Sequence, residues 1–334
     1  MTTTIRTGRG AEHAAMLGIG SYRPSRVVTN AEICERIDST DEWIRTRSGI
    51  VERRWAEPDE TVLMMSVAAA RSALDRAGVA PQQLGCVIVA TVTHLMQTPA
   101  LATLVSNELG STPAAAFDVS AACAGFCVGV SLASDMVRAG TSKYVLVVGV
   151  ERLSDITDPH DRGTAFIFAD GAGAVVIGPS ETEGIGPVAW GADGSKYDFI
   201  RQTEAWDDVL AMDEPSMPTL RMEGNPVFRW ASFEMAEVAR EAMDLAGVTV
   251  DELDVFVPHQ ANMRITDAMA RTLKLPDTVA IARDIAYQGN TSAASVPLAA
   301  AGMLESGEAE SGDLALLIAF GAGLAYAAQV VRLP

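Results

Sequence analysis

Cysteine is scarce in this chain of 334 residues: Cys34, Cys86, Cys123 and Cys127 are all there is. Four such residues do not make a disulfide framework, which also needs an oxidising compartment. The start, Met1 to His13, is polar and carries no apolar core of a secretory leader, so the cytosol is the expected compartment. No uninterrupted apolar run reads as long enough to cross a bilayer, and no membrane association is expected. Positive charge is also short. Lys and Arg number 25 against 43 Asp and Glu, a net charge of −18. Such a chain repels phosphate backbones, which excludes nucleic acid as a general partner. His13, His94 and His160 lack metal-ligand spacing with cysteine or carboxylates, so no metal is expected.

What is present begins with an internal duplication. Residues 71 to 84 read RSALDRAGVAPQQL and residues 240 to 253 read REAMDLAGVTVDEL, with seven of fourteen positions identical at an offset of 169. An apolar strand follows each copy, Cys86 to Ala90 and Val255 to Pro258. In both halves a helix then closes on glycine, Gly140 or Gly307, and another strand follows, Tyr144 to Val150 or Leu314 to Phe320. Counting back 17 residues from each closing glycine pairs Cys123 with Asn290 as equivalent helix starts. Strand–helix alternation predicts an α/β fold with largely parallel, doubly wound sheets. The halves are set at 1–180 and 181–334, with helix N-termini converging where they meet. The remaining pattern predicts a strand over Met16 to Ser21 and a helix over Ala31 to Ile37 capped by Asn30. It also predicts paired strands over Thr164 to Phe168 and Ala172 to Ile177 around Asp170-Gly171.

Three residues stand out chemically. Cys123 follows the strand Ala115 to Val119 at a helix start. There the macrodipole and free backbone N–H groups favour thiolate, and Ala121, Ala122, Ala124 and Gly125 leave room for substrate. Taken alone, a small buried hydrophobe is the simpler reading. His259 closes an apolar strand, where a hydrogen-bonded structural histidine is the competitor. Asn290 competes with a plain N-cap. Gly321-Ala322-Gly323 is either a tight turn or a bare backbone able to hold an oxyanion. A Cys/His/Asn order also fits papain-like proteases, yet that family's flanking signature is absent and the residues straddle a duplication.

The blocks Ser-Ala-Ala-Cys123-Ala-Gly-Phe, Pro-His259-Gln-Ala-Asn-Met-Arg and Gly-Asn290-Thr-Ser-Ala-Ala-Ser together resemble β-ketoacyl-acyl-carrier-protein synthase III, in its actinobacterial form. The likeness runs from Gly18 to Leu324. It implies a thiolase-like fold of two pseudo-symmetric halves in a five-layer α-β-α-β-α arrangement, and a homodimer. It implies that Cys123 takes an acyl group from acyl-CoA and that malonyl-acyl carrier protein then decarboxylates and condenses with it. His259 and Asn290 would stabilise the enolate, and the backbone of Cys123 and Ala322 the acyl oxyanion. Coenzyme A would be a substrate with no cofactor needed, bound by Trp43, Arg47, Arg162 and Asn262. Carrier protein would meet Gln260, Ala261, Asn262, Met263 and Arg264, with Arg229 and Arg271. Thr98, where acetyl-specific relatives carry Phe, implies a roomier acyl pocket and a taste for branched or longer primers. Ala169 departs from the family's glycine and needs negative φ to be tolerated. The alternatives are a starter-unit synthase of a polyketide pathway, an acyltransferase without decarboxylation, and a silent dimerising partner.

Overall fold

The computed structural model describes residues 8–334; most of the polar N-terminal stretch therefore lies outside the described residues. β1 (His13–Tyr22) is followed by a small antiparallel pair, β2 (Arg26–Thr29) and β3 (Glu52–Trp55), with α1 (Asn30–Cys34) and α2 (Asp41–Ser48) between them. Next come α3 (Val62–Ala77), β4 (Leu84–Ala90), α4 (Leu101–Leu109), β5 (Ala115–Val119), α5 (Gly125–Ala139), β6 (Tyr144–Arg152) and β7 (Asp170–Ser180). The second half adds β8 (Ala189–Ala192), β9 (Ile200–Gln202), α6 (Trp206–Leu210), β10 (Leu220–Met222) and α7 (Gly224–Ala246). It ends with β11 (Val255–Pro258), α8 (Met263–Leu273), β12 (Ala280–Ile281), α9 (Ile285–Gln288), α10 (Ser295–Ser306), β13 (Leu314–Gly321) and β14 (Ala325–Arg332).

Local chemistry sets the boundaries. Thr40 and Thr61 accept backbone N–H bonds at the starts of α2 and α3, while left-handed Gly49 and Gly78 end them. Gly140 and Gly307 end α5 and α10 in the same way. Val145 to Val150 of β6 are buried throughout, as a strand covered on both faces requires.

The two five-stranded sheets run β1-β7-β6-β4-β5 and β12-β11-β13-β14-β8. In each, three strands at one end of the sheet pair in parallel, β6-β4-β5 and β12-β11-β13, and the other two pairings are antiparallel. The sheets are thus mixed rather than largely parallel: β14 follows β13 after the short turn 322–324, which only an antiparallel partner allows, and β7 comes back antiparallel to β6 after the longer segment 153–169. Helices α5 and α10 lie between the sheets and touch both; α3 and α4 cover the first sheet outside, α7 and α8 the second. The central core joins Cys86, Ile88, Phe126, Val147, Val257, Leu317 and Ala319.

Several sequence expectations shift. Thr29, not Asn30, caps α1; Asn30 is buried and spends its side chain on Asp41, Ile50 O and Arg53. Residues 164–167 form turns and Phe168 makes only an isolated bridge to Asn290, so β7 pairs with β1 and β6 instead. One segment, Ala122–Ala139, is apolar and long enough to cross a membrane by length and composition, yet it belongs to the packed middle layer. Ala169 is absent from the left-handed residues, so its methyl is tolerated. The equivalence of Cys123 with Asn290 is corrected. Ala122 (φ 46°) and Ser292 (φ 47°) carry the same rare left-handed backbone directly before α5 and α10. They are the matching positions, so Cys123 matches Ala293. Counting from the closing glycines misleads because α10 has 12 residues and α5 has 15.

Candidate active site

Cys123 stands on a single turn between β5 and α5, just after strained Ala122. A bare backbone must pass close by. A Cβ on Gly321 would lie 2.8 Å from both the Cys123 backbone N and Sγ. Gly321 has extended backbone, so its need for glycine is one of space. The start of α5 favours thiolate by about 1 kcal/mol, less than one pKa unit. Burial outweighs it and pushes the Cys123 thiol up to about 12, with Glu151 adding to the rise; the Ser292 hydroxyl and the residue's own N–H oppose it. The Cys123 sulfur therefore rests as a neutral thiol.

His259 leaves the end of β11 with its N–H donating to Ile318 O at 2.7 Å. Its ring packs edge-on against Phe320 at 5.4 Å, and Nδ1 meets Ser295 Oγ at 2.6 Å. Gln260 N donates to that same oxygen at 3.4 Å. The serine hydrogen is therefore free for Nδ1, which places the imidazole hydrogen on Nε2. Burial lowers the His259 pKa to about 3, so the ring is neutral and a donor. Asn290 is clamped by main-chain bonds, N to Ile167 O and O from Ala169 N, each 2.9 Å. Its Oδ1 accepts from Ser292 N at 2.8 Å, which leaves Nδ2 for the cavity. Cys123, His259, Asn290, Phe320 and Gly321 line one cavity of about 290 Å³. Two neutral N–H donors facing one space beside a thiol can hold a carbonyl oxygen as it gains charge.

The mouth of that cavity carries Trp43, Arg47, Arg162, Asn262 and Arg264. The Arg162 and Arg47 guanidinium carbons lie 4.7 and 5.7 Å from the Trp43 ring centre, a stack that a planar aromatic ligand can join. Asn262 caps α8 through Arg264 N and donates to Arg47 O. A second cavity of about 180 Å³ opens on the other side of Cys123, lined by Val92, Leu153, Ile156, Phe168, Leu220 and Ala322 among others. Ala322 and Cys123 both line this second cavity.

Other expected residues are placed elsewhere. Gln260 is buried, with its amide spent on Pro258 O, Ala282 O and Ile285 N; it presents no surface to a carrier protein, and that assignment is corrected. Ala261 lines the larger cavity, and Met263 accepts from Arg283. Arg229 and Arg271 are exposed on α7 and α8, outside both cavities. Thr98 is exposed on the loop after β4 and lines neither cavity of this chain. Ser292, Ser295 and Glu151 escaped the sequence reading. Both serines lay inside the Asn290 block, and Glu151 carried a signal of its own, a carboxylate ending an unbroken apolar strand. Among the described residues no group of three His, Cys, Asp or Glu side chains is placed to hold a metal ion.

A thiol facing two neutral donors, at the meeting of duplicated α/β halves, points to a condensing enzyme of the thiolase fold. The comparisons narrow this. Family models described as 3-oxoacyl-[acyl-carrier-protein] synthase III and its C-terminal part match residues 117–194 and 243–333. The chain is 57% identical to β-ketoacyl-[acyl-carrier-protein] synthase III of Streptomyces glaucescens, covering 99% of each. It is 53% identical to the mycobacterial enzyme of that name from Mycobacterium avium, covering 99% of this chain and 98% of that one. Among solved structures it is similar to the priming β-ketosynthase of the R1128 polyketide pathway, at TM-score 0.97, 48% identity and 99% coverage of each chain. It is also similar to 3-oxoacyl-[acyl-carrier-protein] synthase III from Aquifex aeolicus, at TM-score 0.88 and 38% identity, covering 96% of this chain and 99% of that one. The chain belongs to the β-ketoacyl-acyl-carrier-protein synthase III family and is a condensing acyltransferase of fatty acid synthesis.

Proposed function

We propose that Cys123 carries the primer. Its thiol attacks the carbonyl of acyl-CoA while the N–H groups of Cys123 and Ala322 hold the oxyanion. Malonyl-acyl carrier protein then occupies the larger cavity. As carbon dioxide leaves, the thioester oxygen gains charge between His259 Nε2–H and Asn290 Nδ2–H, and the carbanion attacks the acyl-cysteine to give a 3-oxoacyl carrier protein. The single observation that carries this is the lining of one cavity by Cys123, His259 and Asn290, with those two donors left unbonded. Simple acyl transfer needs only the oxyanion site, so the paired donors favour condensation.

Coenzyme A is read at the Trp43, Arg47 and Arg162 mouth, with Asn262 below it; the carrier protein is read against Arg264, Arg229 and Arg271. The apolar second cavity takes the primer chain. A homodimer accords with the edge strand β5 and its exposed Phe117, beside a loop whose Leu95 and Met96 are exposed. Thr98 in that loop bears on primer choice only across such an interface. A cytoplasmic enzyme, divided after residue 180 where β7 ends, completes the reading. The likeness to a priming β-ketosynthase at TM-score 0.97 supports a second reading, starter-unit synthesis with the same chemistry and another carrier.

Mass spectrometry after incubation with acyl-CoA tests the nucleophile: one acyl adduct in the wild type, and none in Cys123→Ala. An adduct surviving that substitution rejects it. Carbon dioxide release from malonyl-carrier protein, lost in His259→Ala and Asn290→Ala, separates condensation from acyl transfer. Side-by-side acetyl-, isobutyryl- and longer acyl-CoA primers read the pocket.

A further inference from the structure

Glu151 is completely buried at the end of β6. Its carboxylate accepts from Thr93 Oγ1 at 2.7 Å, Val92 N at 3.1 Å, Thr91 Oγ1 at 3.2 Å and Ser292 Oγ at 3.3 Å. Among the described residues no cation faces it: the loop after β4 offers Thr91, Val92 and Thr93, the start of α10 offers Ser292, and the turn before α5 offers Cys123. Arg152 directs its side chain to Asp155, and Asp170 of β7 is held by Ala56 N and Ser154. A buried carboxylate without a cation costs stability that an amide of the same shape would not. Four hydrogen bonds explain how it is tolerated, not why an acid is there.

Ser292 supplies the reason. Its hydroxyl donates to Glu151 and also lies beside the Cys123 thiol, in the lining of the same small cavity. Its left-handed backbone does not itself demand serine, since Ala122 holds the matching conformation in the other half. His259 cannot take the thiol proton in the form described, because the Nε2 that faces the cavity already carries a hydrogen.

We propose that Glu151, acting through the Ser292 hydroxyl, accepts the Cys123 proton as the thiol attacks acyl-CoA and returns it when that sulfur is later expelled. The inference rests on the acyl-cysteine reading above. In the first half-reaction the S–C bond to the acyl group forms, the S–H hydrogen passes to Ser292 Oγ, and the Ser292 hydrogen passes to the Glu151 carboxylate. The carbonyl–sulfur bond to coenzyme A breaks, and the released thiolate takes a proton from water. In the second half-reaction the carbanion displaces Cys123, whose thiolate recovers the proton from Glu151 by the reverse path. One proton is consumed per cycle, as the release of carbon dioxide requires. Glu151 is a positioning residue for a proton; Cys123 remains the group that touches substrate.

The test is the burst of coenzyme A released from acyl-CoA alone, followed by rapid quench across about pH 5.5 to 8.5. The wild-type rate is expected to rise with an apparent pKa near the value of about 7 that burial gives Glu151. His259, lowered to about 3, and Cys123, raised to about 12, titrate outside that range. Asp170, raised to about 6, is the remaining buried acid nearby, and Asp170→Asn is expected to keep the rise. Glu151→Gln keeps the shape and is expected to lose about 10²-fold in burst rate together with the pH dependence. Ser292→Ala is expected to do the same, and the double variant no more than either. A flat wild-type profile overturns the proposal, and so does a variant that slows but retains the rise. If Glu151→Gln does not fold, Ser292→Ala decides by the same two readings. Absence of any wild-type acyl adduct defeats the acyl-cysteine reading instead, a separate outcome.

Discussion

His259 and Glu151 are both buried beside Cys123 and pull stability in opposite directions with pH. For His259 the folded state resists protonation, its pKa falling from 6.5 to about 3. The unfolded chain binds the extra proton between these values, so stability is lost as pH falls through that window. Glu151 is the reverse case, rising from 4.5 to about 7. The folded state holds the proton more tightly, and that stability is present below pH 4.5 and lost as pH rises to about 7. Replacing Glu151 by Gln removes only the second effect. Relative to wild type, the Glu151→Gln variant is therefore expected to gain stability between about pH 4.5 and 7 and then level off, by ~3 kcal/mol at most. Urea unfolding at several pH values measures this. A constant difference across that window contradicts the sign assigned to Glu151.

At the scale of elements, two glycines separate chemistry from folding. Gly321 ends β13 against Cys123, and its absent Cβ would lie 2.8 Å from that residue's N and Sγ. Gly149 of β6 faces the start of α10, where a Cβ would lie 2.3 Å from Ala293 O. Gly321→Ala crowds the backbone N and the sulfur of Cys123, where the proposed acyl oxyanion would be held; it is expected to cost about 10² or more in acylation rate. Gly149→Ala meets backbone in the packed middle layer and is expected to cost about 1–3 kcal/mol of stability. Quench kinetics and thermal melting on both variants check the contrast, and a Gly321→Ala enzyme with normal acylation defeats it. The same elements show what a sequence discloses. Helix ends at Gly78, Gly140 and Gly307 are legible because a left-handed C-cap has few residues to choose from. The Cys, His and Asn positions are legible because each sits at the junction of an apolar run and a small-residue patch. The matching of halves is not, since α10 is three residues shorter than α5 and only backbone angles at Ala122 and Ser292 restore the alignment. Burial is equally hidden: Gln260 and Asn262 are neighbours in one motif, yet only the latter reaches the cavity.

For the whole molecule, the net charge of −18 repels an acidic carrier protein, and its docking depends on where the few cations stand. Many arginines away from the cavity are neutralised locally, as in Arg45–Asp41, Arg76–Glu305, Arg138–Glu183 and Arg201–Asp198. Among the described residues Arg47, Arg162, Arg229, Arg264 and Arg271 make no ion pair; Arg47, Arg162 and Arg264 line the larger cavity, while Arg229 and Arg271 stand exposed on α7 and α8. Exposed charges of this kind act over about 10 Å at 0.1 M salt and far less at higher ionic strength. They raise encounter rates more than they add affinity once contact is made. Thus kcat/KM for malonyl-acyl carrier protein is expected to fall about tenfold between about 0.05 and 0.5 M salt. The burst at saturating acyl-CoA should change much less, because saturation removes the salt-sensitive binding of its phosphates and the carbonyl chemistry itself lies beyond the entrance in a buried site. Charge reversal in Arg271→Glu is expected to lower the low-salt value and flatten the salt slope. A slope unchanged by Arg271→Glu, or one equally steep for acyl-CoA, would place carrier docking on some other face of the protein.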